Sequence, residues 1–169
     1  MKALAVVQDE MVGWQKHNFP GRPNWIPLLG AVEEMGELAE SDKRTDILDA
    51  VGDIVIYLCD YSNSMSYNLS ELWDEQKSVR TYGITLDQVK AVQIHMGRLA
   101  HSHIKAFQNI RRNEDHAGNA KLAIGRILHH LDVICTIEET TLETVIFTTW
   151  EQVKARDWQK NRDTAHVQG

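Results

Sequence analysis

The sequence predicts an all-α protein, and three observations support this prediction. Apolar residues recur at intervals of three and four along most of the 169-residue chain, which is the spacing of one face of an α-helix. Only three prolines occur, and two of them, Pro20 and Pro23, lie in one loop. No segment alternates apolar and polar residues over the length of a strand, so we expect no β-sheet.

Four helices are predicted in the first half of the chain. A breaker-rich loop over residues 18–24 ends the first helix, Pro27 falls in the first turn of the second, and a charged turn over residues 41–45 precedes the third. Asn68 and Glu71 have the capping-box spacing that begins a short fourth helix. The apolar faces of the first three helices are Leu4, Val7, Met11 and Trp14; Leu28, Val32, Met35 and Leu38; and Ile47, Val51, Ile54, Leu58 and Tyr61.

The second half of the chain is predicted to form helices over residues 85–108, 117–137 and 141–158. Thr85 and Gln88 repeat the capping-box spacing at the start of the first of these helices, after a break at Tyr82 and Gly83. The tail over residues 161–169 is polar, and we expect it to fray.

The second half also repeats a pattern of the first. Gly-Glu-Leu-Ala at residues 36–39 is echoed by Gly-Arg-Leu-Ala at residues 97–100. Ala-Val-Gly-Asp-Ile at residues 50–54 is echoed by Ala-Ile-Gly-Arg-Ile at residues 123–127. We interpret this repeat as a duplicated helical hairpin within a single domain over residues 1–169.

The differences between the two copies predict different roles for them. Arg98 and Arg126 stand where the first copy has Glu37 and Asp53, so the framework is kept while acids are replaced by cations. Because two cations repel a metal ion, we expect the second copy to bind none. The chain then has a metal-binding half and a degenerate half, residues 1–82 and 83–160.

The composition excludes several functions and locations. The formal net charge is −6 and no run of Lys or Arg occurs, so we expect no nucleic-acid partner. No stretch is apolar for long enough to cross a membrane, so we expect no membrane partner. Cys59 and Cys135 lie in apolar helical stretches without a Cys-x-x-Cys spacing, which predicts reduced thiols in a cytoplasmic protein.

Acidic residues on two adjacent helices predict a metal site. Glu34 and Glu37 share one helix face, with Glu33 alongside, and this row taken alone is typical of a solvated surface. Asp49 and Asp53 also share a face, but Asp53 lies in an apolar run, where a carboxylate is costly unless a cation compensates it. Because helices joined by a short turn run antiparallel, the two acidic faces can meet, and their oxygens suit Mg²⁺ or Mn²⁺.

Two glycines accompany these acids. Gly36 and Gly52 each lie one residue before an acid, although glycine costs about 1 kcal/mol relative to alanine inside a helix. We therefore expect a neighbouring backbone, or a ligand, to approach closely at both positions.

The acidic pattern resembles the MazG-like nucleotide pyrophosphohydrolase superfamily, which includes MazG, dimeric dUTPases, dCTPases and phosphoribosyl-ATP pyrophosphatase. The family pattern is Glu-x-x-Glu, a spacer, and Glu-x-x-Asp, and Glu34, Glu37 and Asp53 match three of its four acids. The fourth position holds Ala50, and Asp49 lies one residue earlier. The similarity extends to residues near both ends of the chain, namely Trp14, Gln15, Phe19 and Pro20, and the segment 150–158.

The resemblance implies an enzyme that hydrolyses a nucleoside triphosphate to the monophosphate and pyrophosphate. It implies two or more Mg²⁺ ions, replaceable by Mn²⁺, with Glu34, Glu37 and Asp53 as ligands. Asp49, four residues before Asp53 and on the same helix face, is the candidate for the fourth ligand in place of the family's acid. Glu33 and Glu37 are both candidates for the general base that takes a proton from the attacking water. Family members are usually dimers or tetramers, so we expect a homodimer or homotetramer.

Substrate contacts are expected from cations, aromatic rings and amides. Lys77, Arg80, Lys105, Lys154 and Arg156 are the candidate phosphate contacts. Trp14 and Trp25 offer stacking surfaces for a base, and Asn18 offers an amide to read its edge. A purine deoxynucleotide such as dGTP is the preferred substrate in this interpretation, with the pyrimidine nucleotides dUTP and dCTP as the alternative.

Three other functions compete with this interpretation. A di-iron carboxylate bundle needs Glu-x-x-His pairs, and the acidic half has none. A His-Asp phosphohydrolase needs those two residues adjacent, whereas the chain has His-His-Leu-Asp at residues 129–132. A non-catalytic helical scaffold is disfavoured by Asp53 in its apolar run.

Overall fold

The computed structural model describes residues 2–76 and 83–162. Within those ranges every regular element is an α-helix, as the sequence predicts, and there is no β-strand. The helices are α1 (Lys2–Asn18), α2 (Trp25–Glu40), α3 (Arg44–Ser64), α4 (Leu69–Asp74), α5 (Thr85–Phe107), α6 (His116–Ile137) and α7 (Leu142–Lys154).

The helix α3 lies at the centre of the bundle. It packs against α2 on one side and against α7 and α1 on others. All five residues of its predicted apolar face, Ile47 to Tyr61, are buried. Two residues of the predicted α2 face are not: Met35 is half-buried, and Val32 is 36% exposed, because Leu28 and Ala31 point to the core and turn Val32 toward the surface.

Close packing against α3 depends on two glycines, one of them predicted. A Cβ at Gly52 would overlap the side chain of Thr149 on α7, so the close neighbour there is a side chain rather than the backbone or ligand that the sequence predicts. At Gly36 no atom of the described residues lies within 4 Å of a Cβ, so no neighbouring backbone approaches there. The close contact of α2 is instead at Gly30, where a Cβ would overlap the ring of Tyr57 on α3.

Each helical hairpin packs against the short helix that follows the other hairpin. The hairpin of α2 and α3 contacts α7, and the hairpin of α5 and α6 contacts α4. At the second contact, a Cβ on Gly125 of α6 would lie 2.7 Å from the carbonyl oxygen of Leu72 on α4. The core therefore joins both halves of the chain, and Cys59 and Cys135 are free thiols buried within it.

The helices α1 and α7 run parallel, with a constant offset along the chain. The backbone N–H of Ala3 donates to Glu143, the indole N–H of Trp150 donates to Glu10 at 2.7 Å, and the backbone N–H of Trp158 donates to the side chain of Asn18 at 2.7 Å. These contacts bring the segment after α7 against the end of α1.

One predicted helix cap and one predicted helix end are wrong. The helix α5 starts at Thr85, and its first turn is capped by the Asp87 carboxylate, which accepts from the backbone N–H of Ile84 at 3.3 Å; the predicted pairing of Thr85 with Gln88 does not form. The helix α7 ends at Lys154 rather than at Trp158, because the side chain of Asp157 accepts backbone N–H groups of the two residues after Trp158 and turns the chain.

Across the described ranges, no helix combines the length and the apolar character that crossing a membrane requires. The predicted frayed tail, residues 161–169, lies outside the described residues from residue 163 onward.

Candidate active site between α2, α3 and the segment after α7

A pocket of about 480 Å³ opens between α1, α2, α3 and the segment after α7. Acidic side chains line one part of it and aromatic rings line another. The acids are Glu33, Glu34, Asp53 and Asp60; the aromatic residues are Trp14, Phe19, Tyr57 and Trp158; and the cations are Arg22 and Arg156. The structure thus brings together five of the residues that the sequence predicts for the site: Glu33, Glu34, Asp53, Trp14 and Arg156.

The aromatic wall is held in place by contacts between distant parts of the chain. The ring of Trp14 meets that of Phe19 edge to face, with 5.5 Å between centroids, and its indole N–H donates to the carbonyl of Arg156 at 3.1 Å. The ring of Tyr57 lies against Gly30, where any larger residue would displace it. These contacts leave ring surface facing the pocket, which suits a planar ligand.

Glu34 on α2 and Asp53 on α3 both lie among like-charged neighbours. Burial, followed by repulsion from Asp53, Glu37, Glu33 and Asp49, raises the pKa of Glu34 to about 7. Burial, followed by repulsion from Asp49 and opposed by Arg156, raises the pKa of Asp53 to about 6. The five predicted acids therefore share one electrostatic environment, and it disfavours their simultaneous ionisation.

The other three predicted acids are on the surface. Glu33 is exposed and lines the pocket. Glu37 and Asp49 are exposed and lie beyond the pocket wall, although their charges reach both Glu34 and Asp53. The acidic faces of α2 and α3 thus lie near enough for their charges to interact, and Glu34 and Asp53 line the pocket.

The donor chemistry of these acids fits a divalent cation. Carboxylate oxygens are the hard donors that Mg²⁺ and Mn²⁺ prefer. In the conformation described, no three His, Cys, Asp or Glu side chains of residues 2–76 and 83–162 lie close enough together to hold a metal ion. The side chains of Glu37 and Asp49 have no hydrogen-bond or ion-pair partner in those ranges, so their reorientation would break no polar contact.

An ion pair at the pocket wall was missed by the sequence analysis. Arg22 pairs with the Asp60 carboxylate and lies over the Phe19 ring, 4.5 Å from its centroid. Burial raises the pKa of Asp60, and the hydrogen bond and charge of Arg22 oppose this shift. The available signal was the spacing of Asp53, Tyr57 and Asp60, which puts all three on one face of α3.

The remaining predicted substrate residues lie elsewhere. The Asn18 side chain is buried. Its amide nitrogen donates to the Trp14 carbonyl, and its amide oxygen accepts from the backbone N–H of Trp158. Trp25 is 40% exposed at the start of α2 and does not line the pocket. Lys154 pairs with Glu151 and Glu10, and Lys105 lies in the last turn of α5, also away from the pocket. Lys77 and Arg80 lie outside the described residues.

Comparison of the chain with protein-family models, with curated proteins and with solved structures gives no significant match. The resemblance to MazG-like proteins therefore rests on the quoted motif residues, and the pocket has to be interpreted from its own chemistry.

Proposed function

We propose that the chain is a metal-dependent pyrophosphohydrolase that converts a nucleoside triphosphate to the monophosphate and pyrophosphate. The observation that carries this proposal is that Glu34 and Asp53, from two helices, share one pocket with aromatic rings and with Arg156. Acids suited to a cation and rings suited to a base are the two features that a metal–nucleotide substrate requires. The resemblance of residues 33–39 and of Gly52-Asp53 to MazG-like proteins supports the same reaction.

Glu34, Glu37, Asp49 and Asp53 are the residues that would hold two or more Mg²⁺ or Mn²⁺ ions. When bound, the metal supplies charge neutralisation at the phosphate oxygens and lowers the pKa of a coordinated water. The repulsion that raises the pKa of Glu34 and of Asp53 is the interaction that a cation relieves.

The chain's own residues divide the remaining tasks. Glu33 lines the pocket and is exposed beside Glu34, so we assign it as the proton acceptor in preference to Glu37, which lies beyond the wall. Arg156 lies close enough to lower the pKa of Asp53, so its guanidinium can also pair with a phosphate oxygen at the acidic part of the pocket. Arg22 is already paired with Asp60, so its role is to hold the Phe19 ring.

The base of the substrate is proposed to stack in the aromatic part of the pocket, against Trp14 and Trp158. This large ring surface favours a purine nucleotide such as dGTP, with dUTP or dCTP as the alternative. The position of Asn18 removes it from base recognition, because its side chain is occupied by backbone groups.

We also propose that the fold is a MazG-like bundle formed by duplication of one hairpin. Corresponding residues of the two copies are buried alike, as in the pairs Leu38 and Leu99, and Ile54 and Ile127. The corresponding glycines, Gly52 and Gly125, each contact a helix that follows the other hairpin. A soak in Mn²⁺ that placed an ion between α5 and α6 would contradict a degenerate second copy. A homodimer or homotetramer in the cytoplasm remains part of the proposal.

The test is hydrolysis of each ribo- and deoxyribonucleoside triphosphate with Mg²⁺ or Mn²⁺, with products separated by ion-exchange chromatography. We expect monophosphate and pyrophosphate in one step, fastest with a purine deoxynucleotide. Orthophosphate with a stable nucleoside diphosphate would refute the reaction. No turnover of any nucleotide, together with no Mn²⁺ binding by calorimetry, would favour the scaffold alternative. Iron in the purified protein would favour a di-iron centre.

A further inference from the structure

A second and larger cavity, of about 850 Å³, lies between α5 and α6, formed by residues that the proposed reaction does not use. Its wall contains Arg98 and His95 from α5 and Arg126 from α6. The exposed apolar side chains of Ile94 and Leu122, 55% and 52% accessible, complete the two sides. Small-molecule sites have about this size, with an apolar lining and a few convergent polar groups.

The two arginines have no acidic partner in the described residues. The side chain of Arg98 is exposed and makes one long hydrogen bond, 3.5 Å, to the ring nitrogen of His95. Arg126 is half-buried and has neither an ion pair nor a hydrogen bond in residues 2–76 and 83–162. A guanidinium that is partly removed from water without an anion is costly, so an external anion would stabilise it.

The surrounding titratable groups leave this cavity positive. Burial lowers the pKa of His95, and the charges of Arg98 and Arg126 lower it further. Among the described residues that line the cavity, the one acid is Glu114, which lies 3.5 Å from Arg111 and 3.9 Å from His101. The contacts of Glu114 are thus with residues other than the two arginines.

We propose that this groove, the cavity between α5 and α6, binds a phosphorylated small molecule, with Arg98 and Arg126 pairing with its phosphate oxygens. Guanidinium groups match phosphate oxygens in charge and in hydrogen-bond geometry, and two from neighbouring helices suit an oligophosphate chain. Ile94 and Leu122 contact the apolar part of the ligand. The site needs no divalent cation, which separates it from the acidic pocket.

The experiment is calorimetric titration of the full chain with tripolyphosphate at low salt in EDTA, which removes divalent cations. We expect saturable binding that weakens at least tenfold in Arg98→Ala and in Arg126→Gln. Lys90→Ala removes the same charge from an exposed position of α5 outside the groove, and its affinity should stay within about twofold of wild type. Arg98 is exposed, so Arg98→Ala tests the site even where Arg126→Gln fails to fold.

Absence of saturable binding, or equal weakening in all three variants, would overturn the proposal. The exposed apolar side chains of this cavity could also be covered by a second copy of the chain. Sedimentation of the same samples tests this by measuring their oligomeric state. A wild-type dimer that binds no tripolyphosphate and dissociates in Arg98→Ala would show that the groove is an interface instead. A second titration uses ATP in EDTA. Leu122→Ser should weaken the binding of ATP about fivefold and leave the binding of tripolyphosphate unchanged. Equal ATP affinities of Leu122→Ser and wild type would overturn the apolar contact.

Discussion

Asp53 combines burial, like-charged neighbours and a single opposing cation in one side chain. The sequence marks Asp53 as a candidate site residue, because an aspartate in an apolar run needs a cation or hydrogen bonds to compensate its charge. The partner that lowers its pKa, Arg156, lies more than 100 positions later in the chain, and no spacing rule connects the two. The sequence therefore predicts that the Asp53 carboxylate needs compensation, and only the fold shows which groups share its environment.

Asp53→Asn should reduce turnover by at least about 100-fold, because stabilisation of a transition state by a metal is worth several kcal/mol. The control is Asp46→Asn, which removes the same charge from an exposed position in the first turn of α3. We expect turnover of the control within about threefold of wild type. Calorimetry with Mn²⁺ gives a second readout, since Asp53→Asn should weaken binding and Asp46→Asn should not. Near-wild-type turnover of Asp53→Asn would show that this carboxylate is not a ligand.

The same substitution should stabilise the metal-free protein at pH 7.5. The folded pKa of Asp53, about 6, lies above its ordinary value, so the native state prefers the protonated form. Its contribution is favourable at low pH and is lost as the pH rises through about 6. Urea unfolding in EDTA should therefore show Asp53→Asn more stable than wild type at pH 7.5, with the difference shrinking toward pH 4.5. A variant less stable than wild type at pH 7.5 contradicts this account.

His130 should give the opposite pH dependence. Its ring donates to the Gln88 amide oxygen at 2.9 Å, and burial, His129, His95 and Arg126 lower its pKa to about 4. The unfolded chain takes up a proton near the ordinary pKa and the native state does not, so stability falls as the pH drops from about 6.5 to about 4. His130→Gln should lose less stability than wild type between pH 7 and pH 4.5.

The measurement for His130 is the slope of unfolding free energy against pH, from urea titrations at several pH values. The control is His101→Gln, at an exposed position of α5. An identical slope in wild type and His130→Gln would rule out His130 as a source of the acid sensitivity.

At the scale of elements, the sequence predicted the seven helices well because their apolar periodicity and breakers are local signals. It did not predict which helices touch. No residue next to Gly30 in the sequence indicates a close contact there. Gly30 matters because the ring of Tyr57 lies against it across the interface between α2 and α3. Gly36 has the more suggestive sequence context and faces open space. Contacts between helices are set by the bundle as a whole, which no local pattern encodes.

Gly36 and Gly52 therefore make a matched pair for substitution by alanine. Gly36→Ala should stabilise the protein by about 1 kcal/mol, since a helical glycine with free space gains helix propensity. Gly52→Ala should destabilise it by about 1–3 kcal/mol, because the added methyl overlaps Thr149 and forces α3 and α7 apart. Chemical denaturation of both variants measures the difference. Equal effects of the same sign would show that the α3–α7 interface is not tightly packed at Gly52.

At the scale of the whole molecule, the wall of the pocket that Glu34 and Asp53 line is completed where α1 and the segment after α7 meet. Trp14 belongs to α1 and Trp158 follows α7, and the parallel packing of those helices brings both to one wall. Glu34 and Asp53 lie on α2 and α3, as the sequence predicts. The sequence analysis did not predict the Trp158 wall, because it extended α7 through that residue.

Trp158→Ala should weaken nucleotide binding about tenfold, by removing a stacking surface from the pocket. Trp25→Ala is the control, because it deletes an equal side chain that lies outside the pocket. Binding of a non-hydrolysable deoxynucleoside triphosphate analogue, followed by calorimetry, compares the two variants. A loss in Trp25→Ala as large as that in Trp158→Ala would place the base elsewhere.

Each hairpin packs against the helix that follows the other hairpin, and this arrangement also sets the order in which parts of the fold can form during synthesis. A ribosome releases α3 long before α7, so the face of α3 around Gly52 stays uncovered while the second hairpin is made. Docking of α4 is delayed in the same way, because its partner α6 follows it in the chain. A nascent chain that stops before Leu142 would therefore present apolar surface to chaperones, and the first half gains its full stability only after α7 has been synthesised.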